Sequence, residues 1–132
     1  MTETARIFSL NGDEMLRVNA EELVEADYDD KYDFYYQGQP FTGEMIETTS
    51  DGEMIGVTTY RDGVPDGPER EWYPDGSLRL EGQSKNGDPV GEWREWHPNG
   101  QISRQQRFGT GGVSLWQKHW DENGQLIWDT ED

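Results

Sequence analysis

Apolar and aromatic residues in this chain fall in short runs, each cut by glycine, proline, asparagine or aspartate before a helix could develop. The punctuation is periodic. Gly52, Gly76, Gly100 and Gly124 stand 24 residues apart, as do Gly63, Gly87 and Gly111, and Gly43, Gly67 and Gly91. The same spacing links Trp72, Trp96 and Trp120, with Thr48 in the first place. It also links Met54, Leu78, Ile102 and Leu126, and Arg70, Arg94 and Lys118. Independent residue types sharing one period define a repeat.

Each unit carries two turn signals. One is Tyr73-Pro74-Asp75-Gly76, echoed by His97-Pro98-Asn99-Gly100 and, without proline, by Asp121-Glu122-Asn123-Gly124. The other is Asp62-Gly63 and Asn86-Gly87. Such dipeptides between apolar runs mark β-hairpins. A three-residue loop, a type I turn followed by a left-handed glycine, sets Trp72 opposite Leu78, Trp96 opposite Ile102 and Trp120 opposite Leu126. A two-residue loop would set Tyr73 against Leu78 and turn Trp72 to the other face. The longer loop gathers the apolar columns and is preferred. Arg70 and Arg94 then share a face with their tryptophans, and Glu71 faces Arg79 as a cross-strand charge pair.

The expected fold is all-β: a meander of antiparallel β-hairpins built from the 24-residue repeats, forming a curved open single sheet. Four hairpin repeats occupy residues 41–132, and residues 1–40 form an acidic cap in one structural domain with them. Within the cap, Arg6–Leu10 and Asp13–Val18 form a hairpin about Asn11-Gly12, and Asn19-Ala20-Glu21-Glu22 opens one helical turn. The fourth unit departs from the pattern. Trp116 stands one place before the equivalent of Trp93, and Leu115 replaces glycine, which predicts a local bulge.

Charge narrows the choice of partners. Asp plus Glu number 28 against 11 Lys plus Arg, a net charge of −17. That field repels nucleic acid and anionic membrane and attracts cationic partners. Cysteine is absent, which excludes thiolate chemistry and disulfides. No apolar run has the length of a signal peptide or a membrane span, so a cytoplasmic protein is expected.

Candidate chemistry is sparse. His97 and His119 occupy different repeat positions, and no nucleophile motif is present. Glu71, Glu92 and Glu95 are placed by the repeat. No catalytic residue, metal or cofactor is expected. The acidic run Glu21, Glu22, Glu25, Asp27, Asp29, Asp30 and Asp33 has three readings: a calcium loop, a dock for a basic partner, or a solvated face. No glycine follows Asp29 before Gly38, which counts against calcium. Aromatic columns in repeats are usually core, although an aromatic stripe beside arginine also suits a ligand. Core is the preferred reading for the Trp72 column. Trp93, Trp116 and Trp128 lie off it and are the better contact residues, with Tyr35 and Tyr36 as further aromatic anchors.

The block Gly-x-x-x-Glu-Trp-(Tyr/His)-Pro-(Asp/Asn)-Gly-x-(Leu/Ile), at Gly67–Leu78 and Gly91–Ile102, resembles the MORN repeat. It is most similar to the bacterial variant of antitoxin and immunity proteins, and Gln39-Pro40-Phe41-Thr42-Gly43 strengthens the likeness. The resemblance covers roughly residues 38–128 and departs at Thr48 and in the fourth unit. It implies an elongated ribbon of antiparallel hairpins and an antitoxin that binds and neutralises a cognate toxin protein. Many toxin domains that act on nucleic acid are basic, which an acidic inhibitor would match. The competing implication is a MORN-type scaffold for another protein, a lipid head group or a carbohydrate.

Overall fold

The glycine turns form as their sequences require. Gly76 N donates to Tyr73 O at 2.9 Å, and Tyr73 N donates to Ser77 O at 2.8 Å. Gly76 takes a φ of +90°, the left-handed residue that this loop needs. The same pair of bonds closes Thr49–Glu53, His97–Gln101, Gly109–Val113 and Asp121–Gln125. Asp62-Gly63 and Asn86-Gly87 have positive φ at both residues, the tight hairpin turn whose twist matches the strands.

The computed structural model describes residues 5–8, 14–25 and 34–130. Its strands are β1 (Ala5–Phe8), β2 (Glu14–Asn19), β3 (Val24–Glu25), β4 (Phe34–Tyr36), β5 (Gln39–Pro40), β6 (Gly43–Thr48) and β7 (Met54–Arg61). There follow β8 (Val64–Trp72), β9 (Leu78–Lys85), β10 (Asp88–Trp96), β11 (Ile102–Phe108), β12 (Ser114–Trp120) and β13 (Leu126–Asp129). Ten of them form one open sheet in the order β1-β2-β6-β7-β8-β9-β10-β11-β12-β13. The all-β meander is as expected from the repeat.

The pairs Trp72–Leu78, Trp96–Ile102 and Trp120–Leu126 all lie in register. One residue earlier the register slips, at Glu47/Thr48, Glu71/Trp72, Glu95/Trp96 and His119/Trp120. This repeated bulge corrects the expected pairing of Glu71 with Arg79: the register partner of Glu71 is Leu80. Arg79 is the extra residue of the bulge, although its Nη1 still comes within 3.8 Å of Glu71 Oε1. The bulge expected in the fourth unit is present, because Arg107 pairs Trp116 and Phe108 pairs Ser114, leaving Leu115 over.

Two features go beyond a simple meander. β2 pairs β6 in parallel, so the chain between them must cross over. That crossover contains a 3-10 turn at Ala20–Glu22 and a second, three-stranded sheet of β3, β4 and β5. Asn19 starts the turn by accepting from Glu21 N at 3.0 Å, as its capping position predicts. β1 and β2 form the expected hairpin, whose turn at Asn11-Gly12 lies outside the described residues.

The buried core sits beneath this crossover. Val18, Phe41, Met45 and Tyr60 are buried there, with Leu16, Phe34 and Tyr36 packed against them. Phe34 meets Tyr60 edge-on at 5.4 Å, a favoured aromatic geometry. Trp72, Trp96 and Trp120 are only half-buried and stand outside this core. The core reading of the Trp column is therefore corrected. Its strands contact mainly their sheet neighbours, with β10 also meeting the Thr110–Gly112 turn, so among the described residues no second layer closes over them. No described helix is long and apolar enough to cross a membrane.

Candidate binding surface

Register sorts the side chains of the repeat region onto two faces. On one lie Val57, Arg70, Glu81, Arg94, Gln105, Lys118 and Asp129, paired strand to strand. Here Glu81 lies between Arg70 (3.9 Å) and Arg94 (3.7 Å). Glu92 joins Arg94 to Arg107, the latter at 3.4 Å. The Lys118 ammonium sits 5.5 Å from the centre of the Trp116 ring on this face.

The opposite face carries Glu71, Leu80, Glu95, Arg104, His119 and Trp128 in register. Arg104 bonds Glu95 at 3.2 Å, Gln106 at 2.8 Å and Gln117 at 3.1 Å, while its Nε is buried without an acceptor. Arg17, Arg61, Arg70, Arg79, Arg94, Arg104 and Arg107 all pair with carboxylates. The arginines thus largely neutralise their own neighbours, and the acidic excess is left for solvent or a partner.

On that opposite face an open groove of about 400 Å³ runs between Leu80, Trp93 and Phe108, with Pro65 and Pro89 at its side. Gly82 makes it possible. A Cβ at Gly82 would lie 2.1 Å from Cδ2 of Trp93, so the indole rests directly on the bare backbone. Trp93 Nε1 donates to Gln83 O at 3.0 Å and fixes the ring, and Phe108 meets it edge-on at 6.4 Å. Glu69, Glu95, Arg104 and Gln106 supply the polar lining. Burial raises the Glu69 pKa from its ordinary 4.5; a Thr58 hydrogen bond opposes the shift, and nearby Glu71 and Glu47 add to it.

The hairpins that build this surface, residues 65–86 and 89–108, match the family model described as a MORN repeat variant. Two consecutive hairpins of the chain are thus similar to MORN repeats. No curated protein matches it. Among solved structures it is similar to one titled "Crystal structure of GtfA/B complex bound to UDP and GlcNAc", at 14% identity and a TM-score of 0.25. That alignment covers 61% of this chain and spans 16% of the other, and a likeness so weak transfers neither fold nor ligand.

The contact residues expected from the sequence are scattered across the repeat hairpins and the crossover. Glu21, Glu22 and Glu25 are exposed near the 3-10 turn, and Tyr35 and Tyr36 are half-buried on β4. Tyr36 packs edge-on against the core ring of Phe41 at 6.1 Å. Asp27, Asp29, Asp30 and Asp33, and with them the calcium reading, lie outside the described residues. Trp93 floors the groove; Trp116, one place before the equivalent of Trp93, pairs Arg107 and stands on the other face. Trp128 is exposed on β13, with His119 edge-on at 4.8 Å. Among described residues no group of three or more His, Asp or Glu is placed to hold a metal.

Sequence reasoning missed Glu69, Leu80, Gln106 and Phe108 as companions of Trp93. One signal pointed there: Gly82 is a strand glycine whose repeat equivalents are Thr58 and Gln106. An isolated strand glycine often marks a close approach.

Proposed function

We propose that this MORN-repeat scaffold is a cytoplasmic antitoxin or immunity protein of a bacterial toxin system. It binds a basic toxin domain and blocks its action by covering the toxin's substrate face. The observation that carries this reading is the charge of −17 on a sheet whose arginines are consumed by internal ion pairs. Unmatched carboxylates speed encounter with a cationic partner and discriminate against acidic ones. No catalytic step is assigned to the chain.

The test is affinity capture of the tagged protein from its own cell lysate at low and then moderate salt, followed by neutralisation. A basic toxin-like protein that is retained, loosened by salt and rendered harmless by the purified chain is the expected result. Capture of partners that the chain does not neutralise would overturn the antitoxin reading. The general scaffold is the second reading, and β13 favours it: Leu126, Ile127 and Trp128 are exposed on an edge strand that could accept another strand.

A further inference from the structure

The groove around Trp93 holds one carboxylate that no described cation pairs with. Glu95 is matched by Arg104 and Glu71 by Arg79. No described cation pairs with Glu69; its carboxylate Oε1 accepts only the Thr58 hydroxyl, at 3.0 Å. Burial disfavours its charge, and the neighbouring Glu71 and Glu47 make a nearby positive group more favourable still. Beside it stands an indole whose inner surface is covered by Gly82 and whose rim is held by Phe108 and Gln83. Apolar walls at Leu80, Pro65 and Pro89 complete the groove.

This arrangement occurs once in the repeat. At the positions equivalent to Trp93 stand Met45, Glu69 and Gln117, and at those equivalent to Gly82 stand Thr58 and Gln106. The remaining hairpins therefore cannot reproduce an indole laid on bare backbone. The feature is a local site and not a by-product of periodicity.

We propose that this groove receives an arginine side chain of a protein partner, with its guanidinium between the Trp93 ring and the Glu69 carboxylate. Arginine suits it better than lysine, because a planar, weakly hydrated guanidinium both stacks on an indole and bonds a carboxylate. Its methylene stem lies against Leu80, Pro65 and Pro89, as long cationic side chains do on apolar surface. Glu95 is already paired with Arg104, so the incoming charge is answered by Glu69. The inference rests on the reading of a basic partner and names where one of its side chains docks.

The test titrates the full chain with N-acetylarginine amide, and separately with the uncharged isostere N-acetylcitrulline amide, following amide and indole N–H signals by NMR. Saturable shifts of the Trp93 indole N–H and of the Gly82 and Glu69 amides with the arginine probe alone are expected. Glu69→Gln should weaken the response about tenfold, the scale of one charge-assisted hydrogen bond. Trp93→Leu, which keeps bulk over Gly82, should abolish the preference for arginine over citrulline. Equal shifts with both probes, or a response that Glu69→Gln leaves intact, would overturn the proposal. Failure of the antitoxin reading looks different: the probe still binds at Trp93 while no toxin is neutralised. Conversely, a neutralised toxin whose retention Glu69→Gln does not alter removes the groove and spares that reading.

Discussion

Gly82 shows how much one missing side chain decides. The indole of Trp93 occupies the space a Cβ would need, with Cδ2, Cε2 and Cε3 all within 2.4 Å of that point. Gly82→Ala must therefore push the ring off the sheet and break its bond to Gln83 O. Overpacking of this kind costs about 1–3 kcal/mol, read as a lower urea midpoint together with altered tryptophan fluorescence. In a Trp93→Leu background the same substitution should cost much less, since flexible Leu can yield where a fixed indole cannot. An unchanged midpoint for Gly82→Ala would show that the ring does not rest there. Gly82 and Trp93 were both visible as residues outside the repeat columns, yet nothing along the chain said that one lies on the other. That depends on β9 and β10 being neighbours.

At the scale of the element, the hairpins are tied together by side chains that recur with the period. Tyr73 Oη donates to Trp96 O at 2.6 Å, and His97 Nε2 bonds Trp120 O at 2.9 Å. Both bonds cross from the turn of one unit to the end of the next. Tyr73→Phe leaves the ring in place and removes the first tie, with an expected loss of about 1 kcal/mol in equilibrium unfolding. If the variant unfolds like the parent, the tie is cosmetic. The turn sequences were legible beforehand, and the three-residue loop, preferred over a two-residue one because it gathers the apolar columns, sets Trp72 against Leu78 as observed. The bulge before each tryptophan of the column was not foreseen; the one expected in the fourth unit is a separate bulge at Leu115. The column bulge moved Arg79 out of register with Glu71.

For the whole molecule, charge and topology pull in different directions. Residues 1–60 hold 14 acids and 3 bases, hence −11, and residues 61–132 hold 14 acids and 8 bases, hence −6. Surface ion pairs contribute little individually, so repulsion among the excess carboxylates dominates the response to salt. The thermal midpoint should rise as ionic strength goes from about 0.01 M to about 0.15 M, where screening shortens to roughly 8 Å. A midpoint that falls over that range would mean the arginine–glutamate ladders outweigh the repulsion. The same repulsion bears on recognition, since a basic partner relieves it on binding.

The repeat, the turns, the all-β class, the principal register and the sign of the electrostatic field are all written in the order of the residues. Those properties are local or additive: a glycine with positive φ, a period of 24, a sum of charges. Tertiary structure decided the rest. The parallel pairing of β2 with β6 needs a crossover that no periodicity announces, and it draws Val18, Phe41, Met45 and Tyr60 into the buried core. The Trp column, expected to be core, is half-buried because no second layer of described residues lies over it. The groove exists because residues from four strands, Glu69, Leu80, Trp93 and Gln106, meet on one face. Local rules place each of them on its strand; only lateral strand order makes them neighbours.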